Sequence, residues 1–321
     1  MSVYPGPMQA VTIVDTHLAW QSRPDPEPSH DELLVEVRAA GVNGADLVQR
    51  RGFYPAPPGS PADIPGLEFA GEVVAVGDAV TRFRPGDRVM ALVGGGAQAE
   101  LVTVPEQVVL AVPDGLSWAE AGGFPEVFST AYDALVTQGR LARGDRVLIS
   151  GAAGGVGTAG VQLAHAAGAH VVASVRSVAL HGLVRQLGAD EVIEPDQVTQ
   201  HGPYDLSLEL VGAPGISETL GALAEGARIV VIGVGGGAKV ELNLFALMTK
   251  RATIGGSTLR ARPVEQKAEV ARAVEADVLP KLASGELRVP VAATYPLSEA
   301  TTAYERFAAG GKLGKIVLVD E

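Results

Sequence analysis

Apolar and polar positions alternate in blocks through the middle of the chain. Val147–Ser150 is a short apolar run that reads as a buried parallel strand. It feeds Gly151-Ala152-Ala153-Gly154-Gly155-Val156-Gly157, and the Ala, Leu and Val positions that follow predict a helix stopping at Gly168. A second apolar run, Val171–Ser174, comes next. Strand, glycine turn, helix and strand within about 30 residues make a dinucleotide-binding unit. Further runs at Glu191–Ile193, Asp205–Leu210, Arg228–Ile232 and Ala252–Ile254 alternate with helix-length segments, which predicts an α/β fold with a doubly wound, parallel, six-stranded sheet.

The flanking sequence has another rhythm. Strand-like runs at Ala10–Val14, Glu32–Ala39, Glu68–Val76, Arg88–Val93, Gln98–Val104 and Val108–Val112 are separated by Pro- and Gly-rich turns, predicting a small barrel or sandwich. Ser117 with Glu120 three residues on is a capping box that opens a helical region running to Gly139, bent or divided at Pro125. After about residue 266 the pattern predicts two helices, a strand near Val289–Tyr295 and a final strand Lys315–Val319. Residues 1–124 with 266–321 then form a catalytic domain, and 125–265 a dinucleotide domain inserted into it. A cleft between the two is expected to hold nicotinamide and substrate.

Bulk properties narrow the function. The 321 residues carry 47% hydrophobic and 19% charged side chains and a net charge of −12. That balance suits a packed soluble enzyme and disfavours nucleic acid or an anionic membrane as partner. No apolar run approaches the roughly 18 residues of a spanning helix, so a cytoplasmic location is expected. The absence of cysteine excludes disulfides, thiolate catalysis and cysteine-ligated metal.

The cofactor's identity is read after the second strand. NAD sites carry an acid about 20 residues beyond the glycines to accept from the ribose 2′-hydroxyl. This chain has Ser174-Val175-Arg176-Ser177 instead, a guanidinium flanked by hydroxyls that suits a 2′-phosphate, hence NADPH.

Several motifs in order carry a family resemblance: Ala39-Ala40-Gly41-Val42-Asn43-Gly44-Ala45-Asp46-Leu47, Pro65-Gly66-Leu67-Glu68-Phe69-Ala70-Gly71, Phe83-Arg84-Pro85-Gly86-Asp87-Arg88-Val89, the Ala152–Gly157 turn and Gly314-Lys315-Ile316-Val317-Leu318. Through them the chain resembles, almost end to end, the zinc-independent NADPH:quinone oxidoreductases, the zeta-crystallin-like branch of the medium-chain dehydrogenase/reductase superfamily. The stretch from Arg50 to Gly59 is similar to the subgroup that includes the human stress-inducible quinone reductase.

The resemblance implies a Rossmann sheet inserted into a β-rich, GroES-like catalytic domain. It also implies reduction of quinones or other conjugated carbonyls, by hydride or one-electron transfer, without metal. Zinc-dependent relatives have Cys at the position of Asn43 and His at that of Leu67, and a four-cysteine lobe that is missing here after Gly96. None of the six histidines shows paired ligand spacing.

By resemblance Asn43, Asp46 and Tyr54 line the reaction site. Asn43, Thr130, Gly154, Gly155, Val156, Leu210, Val211, Gly233, Val234, Gly235, Ser257, Thr258 and Lys315 contact the cofactor. Many relatives bind the 2′-phosphate through Lys and Tyr where this chain has Leu180 and Pro195. Arg176, assisted by Ser174 or Ser177, is therefore expected to replace them. Pairing of the sixth strands of two copies into one sheet would make a homodimer. An enoyl-thioester or enone reductase, and an NADPH-binding stress or scaffold protein of low turnover, are the competing readings.

Overall fold

The computed structural model describes residues 7–320. They form two compact units, one made of the chain up to 129 with 259–310 and the segment from 315, the other of 130–258 with 311–314.

The first unit is built on a long central strand. In chain order its strands are β1 (Met8–Val14), β2 (His17–Arg23), β3 (Glu32–Val42), β4 (Glu68–Val76), β5 (Arg88–Leu92), β6 (Leu101–Pro105) and β7 (Val109–Ala111), joined much later by β14 (Val291–Pro296) and β15 (Lys315–Val319). The main sheet runs β14-β15-β3-β4-β5-β7, with β6 also on β3. β3 pairs with β4 from Leu33 to Ala40, with β6 over Glu32–Glu36 and with β15 over Ala39–Val42. Its alternating Leu33, Val35 and Val37 enter a core with Phe69, Val89, Ala91 and Val104, as a half-buried antiparallel strand should.

Two elements escape the hydrophobic pattern. β2 pairs with β1 across a two-residue turn, Asp15-Thr16, whose positive φ values of 46° and 69° suit the primed hairpin geometry normally flagged by glycine. The short helix α1 (Gly44–Arg50) follows β3 directly. The region from Ser117 behaves as its motifs predict. Ser117 Oγ accepts from the Glu120 N–H at 3.3 Å and Glu120 Oε2 from the Ser117 N–H at 3.1 Å, opening α2 (Trp118–Gly122). α3 (Pro125–Tyr132) starts afresh at Pro125 and widens into a π-turn segment over Asp133–Gln138.

The second unit contains β8 (Arg146–Ser150), α4 (Gly155–Ala166), β9 (His170–Ser174), α5 (His181–Arg185), β10 (Glu191–Ile193), β11 (Tyr204–Glu209), α6 (Ala213–Leu220), β12 (Leu223–Val231), α7 (Leu244–Lys250) and β13 (Thr253–Gly256). The six strands are all parallel in the order β10-β9-β8-β11-β12-β13. The order reverses between β8 and β11. Ligands of open parallel sheets bind at such a switch point, outside the carboxyl ends of the strands, which is where the glycine turn lies.

Candidate functional site

In the second unit the turn after β8 is shaped by what glycine permits. A Cβ on Gly157 would lie 2.5 Å from the Gly151 carbonyl oxygen, and one on Gly160 2.9 Å from Leu208 Cδ2, so both glycines let α4 lie tight against the sheet. Gly154 has room by contrast, its nearest such contact being 3.4 Å. As N-cap of α4 it supplies no side-chain cap. The first N–H groups of the helix, from Gly155 and Val156 onward, have no intrahelical partner, and at the positive end of a twelve-residue helix they suit an anion. Gly314 bonds this turn through its N–H to the Ala153 oxygen at 2.9 Å.

The other candidates of this unit surround the same strand ends. Ser174, buried, is the register partner of Ser150 and accepts the Ala152 N–H through its carbonyl. Arg176 is exposed and makes no hydrogen bond or ion pair among the described residues, with Ser177 partly buried beside it. Leu210 and Val211 leave β11 beside the turn, where a Cβ on Gly151 would sit 3.4 Å from Val211 Cγ2. Gly233 must be glycine, since a Cβ there would meet the Leu210 oxygen at 2.3 Å. Gly236 then donates to the Val211 oxygen at 2.7 Å, zipping the loop of Gly233, Val234 and Gly235 onto 210–213. Ser257 donates its hydroxyl to Asp133 at 2.9 Å, Thr258 is exposed, and Thr130 is buried on α3. Free helix N–H groups and glycine clearances fit a nicotinamide dinucleotide.

In the first unit Asn43, Asp46 and Lys315 come together. Lys315 donates its three ammonium hydrogens to the Val42 oxygen at 3.1 Å, Asn43 Oδ1 at 2.6 Å and Glu68 Oε1 at 2.6 Å. Asn43 Nδ2 donates to the same Glu68 oxygen at 2.9 Å, and Glu68 Oε2 accepts the Glu126 N–H. Lys315 and Glu68 are 3% and 0% exposed, a buried ion pair with no solvent screening. Because both ends of its amide are engaged, Asn43 leaves the capping of α1 to Asp46, whose Oδ2 accepts the Asn43 N–H at 2.8 Å and whose Oδ1 accepts that of Gly66. Burial pushes the Asp46 carboxyl up to about 7, against the opposing pull of the Asn43 N–H, Lys315, Arg260 and the Gly66 N–H. Asp46 thus holds two chain segments in place.

Tyr54 lies apart from this network on a surface loop, half-buried, its hydroxyl without a partner among the described residues. Its ring stacks under Arg260, whose guanidinium carbon is 4.9 Å from the ring centroid. Burial raises the Tyr54 phenol, with Arg260 pulling the other way.

The donor set at the position where zinc-dependent relatives hold metal does not fit zinc. Leu67 offers no donor atom, and the Lys315 ammonium already occupies the oxygens of Asn43 and Glu68. No cluster of three His, Asp or Glu side chains among the described residues could hold a metal. His170 and His201 instead bond Glu191 at 2.8 and 2.7 Å, at the far, amino-terminal end of the sheet.

Three buried polar residues at these places are not evident in the sequence. Glu68 is the counter-ion of Lys315, 247 residues away. Arg260 braces the Tyr54 loop. Glu209 is fully buried at the end of β11, with Oε1 accepting from Ser150, Val211 and Gly212 while Oε2 has no partner, and burial raises its carboxyl. Only Glu68 carried a signal, as an acid embedded in an otherwise apolar strand start.

Comparison with known proteins agrees with this arrangement. The alcohol dehydrogenase GroES-like domain matches residues 29–114 and the zinc-binding dehydrogenase domain residues 155–276. The quinone oxidoreductase of Lama guanicoe is 32% identical over 306 residues, covering 92% of this chain and 90% of its own, and that of Homo sapiens is 31% identical over 92% and 91%. An alcohol dehydrogenase superfamily protein from Novosphingobium aromaticivorans superposes with a TM-score of 0.86 at 28% identity, over 98% of this chain and all of that one. Matched in sequence along nine-tenths of its length and in fold throughout, the chain belongs to the quinone oxidoreductase family of the medium-chain dehydrogenases and reductases.

Proposed function

We propose that this protein reduces quinones with NADPH and without metal. The observation that carries the reading is the Lys315–Asn43–Glu68 network, which puts an ammonium where a Lewis acid would have to bind. An acceptor must then take hydride without a metal on its oxygen, and quinones do. Bound NADPH supplies the hydride, two electrons and one proton, and a second proton from solvent completes the hydroquinone. The chain's own contribution is positioning and exclusion of water. The glycine turn holds the pyrophosphate, Arg176 with Ser174 or Ser177 the 2′-phosphate, and Asn43 and Tyr54 the reacting end.

The test is parallel steady-state oxidation of NADPH and NADH with a small ortho-quinone, alongside fluorescence titration of both dinucleotides. Wild type is expected to prefer NADPH. Arg176→Ala is expected to weaken NADPH binding about 10- to 100-fold and leave NADH unchanged, as for loss of a charge-assisted bond of about 1.5–3 kcal/mol. Equal loss for both dinucleotides would remove Arg176 from the phosphate site. NADPH binding without turnover of any quinone would move the reading to an enone reductase.

We also infer a homodimer in the protein's active form. β13 closes one end of the parallel sheet and has no strand on its outer edge among the described residues. α7 packs Leu247 inward with Ile254 but exposes Leu244, Phe245 and Met248, at 67%, 72% and 72%. An open strand edge beside bare apolar side chains is a surface that soluble proteins cover. Light scattering should give twice the chain mass for wild type and a monomer for Phe245→Glu; a wild-type monomer at micromolar concentration overturns the inference.

A further inference from the structure

Arg260 is a guanidinium with an unusual set of neighbours. It is 3% exposed, yet no carboxylate bonds it. Its Nε donates to the Gly94 oxygen at 2.7 Å, Nη1 to the Tyr54 oxygen at 3.0 Å and Nη2 to Gln49 Oε1. All three acceptors are neutral. Burying a cation costs several kcal/mol unless an anion or excellent hydrogen bonding compensates, and five N–H groups meet only three acceptors here. A side chain kept under those terms has uses beyond filling space.

Its partners indicate which uses. Gln49 lies in the last turn of α1, which begins at the Asn43 network. Tyr54 belongs to the Pro-rich loop that follows. Gly94 opens a glycine turn against which that loop folds, for a Cβ on Gly94 would strike Ser60 Oγ at 2.3 Å and Pro57 Cγ at 2.8 Å. One fork therefore ties helix end, loop and turn together while its face lies over the Tyr54 ring. Asp46 acts on Arg260 through space and holds no hydrogen bond with it.

We propose that Arg260 is the positioning residue of the acceptor site: it fixes the Tyr54 loop against the Gly94 turn and supplies the positive potential under which the reduced acceptor carries its negative charge. Hydride transfer to a quinone gives NADP⁺ and the hydroquinone monoanion, which solvent protonates. A fixed cation beside the loop favours that anion over the neutral quinone, so it acts on the transition state more than on substrate binding. This role rests on the quinone reading above. The ligand class it selects is wider, covering any planar conjugated carbonyl that becomes an oxyanion on accepting hydride.

The experiment compares wild type, Arg260→Lys and Arg260→Gln in two assays. The first needs no substrate. Trypsin cleavage after the exposed Arg51 is expected to accelerate about tenfold or more in both variants, because neither can bridge Gln49, Tyr54 and Gly94. The second is steady-state quinone reduction. Arg260→Gln is expected to lower kcat at least about tenfold with the KM for NADPH unchanged, and Arg260→Lys, which keeps the charge, to recover part of that kcat. Loop cleavage at the wild-type rate in both variants overturns the clamp, and equal kcat for Lys and Gln overturns the electrostatic role. Absence of quinone turnover in wild type would overturn the functional reading while the proteolysis result still decides the clamp. If Arg260→Gln fails to fold, Arg260→Lys with Tyr54→Leu, which removes the stacked ring, is read by the same cleavage assay.

Discussion

Lys315→Met is expected to cost about 3–5 kcal/mol of stability, lowering the thermal midpoint by about 4–7 °C. The reason is the company that Lys315 leaves behind. Glu68 is fully buried and its Oε1 accepts from both Lys315 and the Asn43 amide, so removing the ammonium strands a carboxylate with no counter-ion and only neutral donors. The Gly41 side leaves no room for water, since even a Cβ there would approach Glu68 Oε1 to 2.1 Å. The double variant Lys315→Met with Glu68→Gln removes both charges and is expected to regain most of the loss. Circular-dichroism melting of Lys315→Met, Glu68→Gln and the double variant measures this. A double variant whose loss equals the sum of the single losses would mean that the pair is not coupled, and the account of the network would fall.

The second large effect is one of pH. In the folded protein the Asp46 carboxyl keeps its proton up to about 7, because burial outweighs the two N–H groups and the cations Lys315 and Arg260 that favour the ionised form. In the unfolded chain the same group releases it near the ordinary aspartate value of 3.8. Between those two values the native state holds more protons than the unfolded one, so stability falls as pH rises across the window and the loss is complete above about 7. At 1.36 kcal/mol per unit the group's contribution amounts to about 4 kcal/mol. Urea titrations at pH 5 and pH 8 should show a wild type less stable at the higher pH and a flatter response in Asp46→Asn. Identical pH slopes for the two proteins would show that Asp46 is already ionised at pH 5.

The parallel sheet was the legible part of the fold. Its strands are apolar on both faces and end in glycine turns, so Val147–Ser150 and Val171–Ser174 are visible without any partner. β2 was not, because His17–Arg23 is a half-exposed hairpin arm and its turn uses Asp15 and Thr16 in place of glycine. α1 left a trace in Asn43 with Asp46 three residues on. That signal is ambiguous, since the Asn43 amide serves Lys315 and Glu68 and not the helix. Within the site, the glycine turn and Arg176 follow from local spacing. The roles of Glu68 and Arg260 do not, since they depend on residues 247 positions away in one case and 166 to 211 in the other. Local pattern shows where backbone must come close. It says little about which side chains meet across the fold.

The pairing of β15 with β3 also governs how the protein is made. Asn43 leaves the ribosome 272 residues before Lys315, which at about 5–20 residues per second is a wait of roughly 15 to 55 seconds. For that time Ala39–Val42 of β3 lacks its β15 partner and Glu68 its Lys315 cation, whereas strands β8 to β13 have all emerged and can pair among themselves. The inserted unit therefore matures first on the nascent chain, and the outer unit stays open, its sheet edge available to chaperones or to other chains, until its last strand arrives.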